Sequence, residues 1–150
     1  QEAFAELMNT EAKQLGATGT HFVNPHGLHD ENHYTTTYDL YLMFNEALKD
    51  QAFLDIISMN SYTAKVTSAD GTSYTPTWQA TNYYSAGEAT PPDGIHVYGG
   101  KTGTTDQAGN CVILYEKNTA GEPYISVIMG ASDKPLLYEE MNELLDAGMK

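Results

Sequence analysis

The chain has 150 residues, a common length for one domain, and 41% of them are hydrophobic, which is ample for a core. Its 20 acidic residues outweigh seven lysines, arginine is absent and the net charge is −13, so the basic clusters that nucleic acid binding requires are missing. Cys111 is the only cysteine, which excludes an internal disulfide and a zinc ribbon of paired cysteines.

Glu2 to Leu15 places Phe4, Leu7, Met8, Ala12 and Leu15 on one face at helical spacing, with Gly16 as a stop, and predicts an amphipathic helix. A loop rich in Gly, His, Asn and Pro follows, from Gly16 to Thr36. Thr36 or Thr37 is placed to cap a second helix that runs to about Lys49, has Asp39 in its first turn, and buries Leu40, Phe44, Ala47 and Leu48. A short third helix is expected around Phe53 to Ile57. Tyr62 to Val66 and Ser73 to Thr77 flank Ala69-Asp70-Gly71 and read as a hairpin.

Ser85 to Gly94, which contains Pro91-Pro92, reads as a surface loop. Ile95 to Gly103, Gly109 to Lys117 and Pro123 to Ala131 then form three successive strands of an antiparallel meander, with turns at Thr105 to Ala108 and Asn118 to Glu122. A last helix, from about Pro135 to Ala147, is capped by Ser132 or Asp133. Leu136, Leu137, Met141, Leu144 and Leu145 are its expected core face. The fold class is therefore α+β, helices packed on an antiparallel sheet. Cys111, between Asn110 and Val112, is expected to pack as a small apolar side chain. No run approaches the ~18 apolar residues of a membrane span, and no basic-then-apolar signal peptide opens the chain. With helix at its first residues and no initiating Met, the sequence reads as a piece of a longer one.

The most specific local motif is Lys101-Thr102-Gly103-Thr104, on the first strand of the meander. Lys-Thr-Gly is one of three elements of serine acyl-transfer enzymes of the penicillin-binding kind, beside Ser-x-x-Lys and Ser-x-Asn. None of the seven serines (58, 61, 68, 73, 85, 126 and 132) has a lysine three positions later. Ser58-Met59-Asn60 matches Ser-x-Asn on paper, but a match of three residues is weak, and nothing in the sequence places it beside Lys101. Gly100-Lys101-Thr102 is not a phosphate-binding loop, because position 95, where its first glycine belongs, is Ile. His29 and His33, four apart with acids between them, form a zinc pair only if that segment is helical and a third ligand converges. Gly27 and the run Thr35-Thr36-Thr37 favour a loop. His96, within a strand, is expected to be a pleat-facing side chain.

Longer patterns carry a resemblance. Thr20-His21-Phe22-x-Asn24-Pro25-His26-Gly27-Leu28, His33-Tyr34-Thr35-Thr36-x-x-Asp39-Leu40, Gly99-Gly100-Lys101-Thr102-Gly103-Thr104-Thr105-x-x-Ala108-Gly109-x-Cys111 and Ile128-Met129-Gly130-Ala131 occur in order across nearly the whole chain. The series resembles the low-molecular-mass penicillin-binding proteins, serine-type D-alanyl-D-alanine carboxypeptidases.

The resemblance implies that residues 1–150 are the C-terminal portion of a transpeptidase-like domain, with the nucleophile segment upstream of Gln1. It implies that Lys101 sets a positive charge beside the serine, that Thr102, Gly103 and Thr104 bind substrate, and that the Thr104 backbone N–H forms half of an oxyanion hole. The implied partners are a peptidoglycan stem peptide ending in D-Ala-D-Ala and the β-lactams that acylate the serine. No cofactor or metal is implied, and the parent is expected outside the cytoplasm, secreted by a signal peptide of its own. In the family two strands from the N-terminal part lie beside Pro123 to Ala131, so without them this edge is expected to self-associate. Two other classes fit less of the sequence: a catalytically dead cell-wall binding module, and a metal-dependent hydrolase using His29 and His33.

Overall fold

The computed structural model describes residues 2–148. Three helices come first: α1 (Glu2–Gln14), α2 (Thr37–Ala47) and α3 (Gln51–Ile57). Thr36 caps α2, its hydroxyl accepting from the Asp39 N–H at 3.0 Å, and Asp50 caps α3 in the same way through the Ala52 N–H. The long loop between α1 and α2 is held by side chains. Asn9 donates to the Phe22 carbonyl at 2.8 Å and accepts from the Phe22 N–H at 2.7 Å, while the Thr20 hydroxyl donates to the buried Asp39 carboxylate at 2.7 Å.

Four short strands follow: β1 (Ser61–Thr63), β2 (Val66–Thr67), β3 (Ser73–Tyr74) and β4 (Thr77–Gln79). β1 pairs with β4 and β2 with β3, so the expected hairpin forms, interrupted in the middle. Pro76 is the physical reason, since it has no N–H to give the ladder; its carbonyl still accepts from the Ala64 N–H at 3.1 Å. A helical turn absent from the sequence reading, α4 (Tyr83–Ala86), occupies the start of the expected 85–94 loop, capped by Asn82.

The meander is as expected: β5 (Ile95–Thr105), β6 (Gly109–Asn118) and β7 (Pro123–Ala131), in the order β5-β6-β7. On one face of it packs α5 (Lys134–Gly148), with Asp133 accepting from the Leu136 N–H at 2.9 Å. Val112 and Leu114 of β6 meet Leu137, Tyr138, Met141 and Leu145 in the main core. The α5 reading needs two corrections. Leu144 is exposed and Leu136 only half-buried, because the buried stripe turns instead through Tyr138.

Tyr138 earns that place by stacking on Tyr83 at 4.5 Å and by accepting from the Tyr83 N–H at 2.9 Å. Tyr138→Phe keeps the stack and orphans that N–H. It is expected to cost about 1 to 2 kcal/mol in urea unfolding, and an unchanged midpoint would show that the bond contributes nothing.

The opposite face of the sheet receives α2 and α3. Phe44 is buried and meets Phe53 edge to face at 5.6 Å, whereas Leu40, Ala47 and Leu48 are only half-buried. The apolar face of α1 forms, yet Phe4 and Leu7 on it are 56% and 65% exposed. They line an open apolar hollow of about 670 Å³ between α1 and α2. No described helix is long and apolar enough to cross a membrane.

Candidate active site

β5 is an edge strand, bonded to β6 on one side and to no other strand among the described residues. An antiparallel edge turns the backbone groups of alternate residues away from its partner, where they can receive an extended peptide. Which side chains accompany that edge is decided by a bulge. Val97 faces Glu116 and Gly99 faces Tyr115, so one extra residue is inserted and the side-chain alternation reverses. Ile95 and Val97 therefore pack toward α5, while Lys101, opposite Ile113, stands on the other face. Without the bulge Lys101 would point into the core.

Gly99, at the bulge, lets the end of α3 approach the strand. A Cβ there would lie 2.0 Å from the Ile57 carbonyl oxygen at the end of α3. At Gly103, by contrast, a Cβ would meet nothing within 4 Å, so the surface beside it is open.

A cleft of about 340 Å³ brings together Lys101, Thr102, Gly103 and Thr104, with Thr81, Asn110 and Lys134 on its walls. The Lys101 ammonium donates to the Thr102 carbonyl. The Thr102 hydroxyl shares a hydrogen bond with the Thr81 hydroxyl at 2.7 Å, which ties β5 to the segment after β4. The Thr104 hydroxyl donates to Asn110 Oδ1 at 3.2 Å, and Asn110 in turn donates to the Ala131 carbonyl at 3.3 Å across a second bulge near Gly130. In that arrangement the Thr104 hydroxyl presents lone pairs to the cleft, not its proton.

Lys134, missed by sequence reading, opens α5 and places its ammonium 5.4 Å from the centre of the Tyr83 ring. It lies 33 residues beyond Lys101, and only the fold brings the two lysines to one cleft. Both lysines line it on a chain of net charge −13. Cys111 is half-buried opposite Gly103 and lines the same cleft, its thiol directed at the Ala108 carbonyl at 3.5 Å.

The histidines do not form a second centre. The His29 segment is an exposed loop, and His33 Nδ1 accepts from the Val23 N–H at 3.2 Å, which keeps that ring neutral. Burial also holds the His33 pKa below its ordinary value. Among the described residues no three His, Cys, Asp or Glu side chains are grouped to hold a metal ion, so the His29 and His33 alternative is set aside. His96 is exposed and packs edge-on against Tyr98 at 4.5 Å. Ser58 donates to the Leu54 carbonyl at 2.7 Å at the end of α3 and does not line the Lys101 cleft. The Asn24 of the Asn-Pro-x-Gly-Leu run clamps its own loop, donating to the Leu28 carbonyl and accepting from the Gly27 N–H.

The antiparallel sheet between helices is the DD-peptidase fold, as the solved structures it matches show. The structure matches the Streptomyces K15 DD-transpeptidase with a TM-score of 0.87 at 26% identity, covering 97% of this chain and 53% of that one. The family model for D-alanyl-D-alanine carboxypeptidase matches residues 1–133, and the chain belongs to that family. Curated relatives include D-alanyl-D-alanine carboxypeptidase DacF of Bacillus subtilis, 28% identical over 146 residues, and the D-alanyl-D-alanine carboxypeptidase of Streptomyces sp. strain K15, 26% identical over 148. The alignments cover 97% and 98% of this chain, but only 35% and 48% of those proteins.

Proposed function

We propose that this chain is the C-terminal part of the catalytic domain of a serine D-alanyl-D-alanine carboxypeptidase, contributing its substrate-binding wall. The observation that carries the reading is the cleft itself: Lys101, Thr102 and Thr104 of an exposed strand edge line it around an open glycine, with Lys134 on its wall. The peptide's terminal carboxylate sits between Lys134 and the Thr102 hydroxyl, where cations and a donor match an anion. Its backbone pairs along β5, which Gly103 leaves unobstructed.

A serine outside this chain attacks the penultimate carbonyl and its proton passes to a neighbouring lysine. The Thr104 N–H stabilises the oxyanion, and Lys101 adds positive charge beside the nucleophile. The C–N bond breaks, D-alanine leaves with the proton, and water hydrolyses the ester. A β-lactam carries the same carboxylate and acylates the same serine. Because peptidoglycan lies outside the cytoplasm, the complete enzyme works there after secretion.

In the complete enzyme, Thr102→Val and Lys134→Ala are each expected to lower kcat/KM for a peptide with a free carboxylate about tenfold or more. The corresponding methyl ester should be affected much less. Equal losses for acid and ester would contradict the carboxylate role.

β7 extends the proposal to assembly. Among the described residues it is bonded only to β6, and neither lysine nor proline interrupts Tyr124 to Ala131. Such an edge is a template for a further strand. The isolated chain is expected to self-associate through residues 123–131 as its concentration rises, which light scattering would register. A monomer at every concentration would show that this edge is protected.

A further inference from the structure

Outside the cleft, the β1–β4 hairpin carries an unusual surface. Tyr62 and Trp78 are directly opposed across the two strands, 55% and 53% exposed, with rings nearly parallel at 14° and centres 6.4 Å apart. Ile56 and Met59, from the end of α3 and just beyond it, border the same depression of about 570 Å³, a volume suited to a small ligand. Ser61 and Gln79 supply polar groups at its margin, and among the described residues no charged one lines it. An exposed aromatic patch of this kind marks a binding surface.

We propose that this hairpin face is a second binding site, taking the neutral N-acetylated amino-sugar backbone of the same polymer whose peptide end occupies the Lys101 cleft. The inference rests on the function proposed above for that cleft. Three properties select this occupant. Pyranose rings offer an apolar C–H face that lies flat on aromatic rings, and hydroxyl and acetamido groups that suit Ser61 and Gln79. The uncharged lining, on a chain of net charge −13, complements a neutral ligand and offers no partner to an ionic one.

Position gives the third. Trp78 is followed by Gln79, the last residue of β4, and two residues later the Thr81 hydroxyl bonds that of Thr102 at 2.7 Å. Three residues of chain span at most about 10 Å, so the platform lies within the reach of a short extended peptide from the carboxylate seat. A stem peptide of a few residues joins a sugar at one place to a terminal D-alanine at the other.

Trp78 is the only tryptophan, so its emission reports the platform without a label. Titrating the 150-residue chain with an N-acetylglucosamine tetramer is expected to give a saturable blue shift with Kd on the order of 1 mM. Tyr62→Ala should weaken this about tenfold while Tyr62→Phe preserves it, with circular dichroism confirming that both variants fold. The dipeptide D-Ala-D-Ala should leave the emission unchanged. No saturable shift, or an equal response in Tyr62→Ala, overturns the proposal. So does a blue, unresponsive Trp78 in the complete enzyme, which would mean that another protein segment covers the rings. A silent platform on an enzyme that penicillin still acylates counts against the sugar site alone; a responsive platform on one that penicillin never acylates counts against the proposed function alone.

Discussion

Replacing Lys101 with alanine in the complete enzyme is expected to slow acylation by penicillin about 100- to 1,000-fold, the range found when one preorganised charge-stabilising group is removed from an acyl-transfer site. The expectation follows from where the bulge at Val97/Gly99 sends the side chain. Lys101 leaves the core face and lines the cleft beside open Gly103. In the proposed mechanism its charge acts where negative charge develops, so the loss is expected to fall on the acylation rate more than on ground-state binding. Lys117→Ala is the control. That ammonium sits 5.0 Å from the Tyr98 ring centre, on the same sheet but not in the cleft, and its removal should change acylation by less than about twofold. Comparable rates for wild type and Lys101→Ala would remove the lysine from the mechanism.

Glu116→Gln is expected to stabilise the chain at pH 8 and to abolish most of a pH dependence visible in the wild type. Glu116 is fully buried on the α5 side of β6, where one carboxylate oxygen accepts from the Ser126 hydroxyl at 2.6 Å and the other has no hydrogen-bond partner among the described residues. Burial pushes its pKa up to about 7 from 4.5, and the Ser126 hydrogen bond offsets only part of that. An acid whose folded pKa is raised remains protonated in the folded chain while its unfolded counterpart ionises. Stability is therefore full below pH 4.5, falls as pH rises to about 7, and is level above it. The span corresponds to about 3 kcal/mol at most. Glutamine cannot ionise, but its amide leaves a buried donor unsatisfied. The net gain at pH 8 should thus be about 1 to 2 kcal/mol, measured by urea unfolding across pH. A wild-type slope retained in Glu116→Gln would place the titrating group elsewhere.

The elements easiest to read in the sequence were those whose pattern is local. Thr36 with Asp39, the three long strands and the α5 region all carry their signals within a few residues. Pro76 marks a strand interruption, but alternation on either side of it suggests a continuous hairpin. Tyr138 and α4 were lost for a different reason. Their stability comes from stacking Tyr83 on Tyr138, 55 residues apart, which no local window contains. At the site, Lys101 to Thr104 stood out as a motif, whereas Lys134 and Asn110 did not. Lys134 looks like an ordinary residue opening a helix, and Asn110 like a turn residue at the start of a strand. Only the fold reveals that one adds a cation to the cleft and the other holds the Thr104 hydroxyl. The exposed Phe4 and Leu7 show the converse limit: helical spacing locates an apolar face without saying what meets it.

In the proposed enzyme, residues 1–150 supply the wall of an acyl-enzyme site and the acylated serine lies outside them. Mapping the penicilloylated residue by mass spectrometry, in the complete enzyme digested after reaction with penicillin, tests this most directly. The expected result is one modified serine, followed three positions later by lysine, and no adduct on residues 1–150. An adduct on any of the seven serines at 58, 61, 68, 73, 85, 126 or 132 would contradict it.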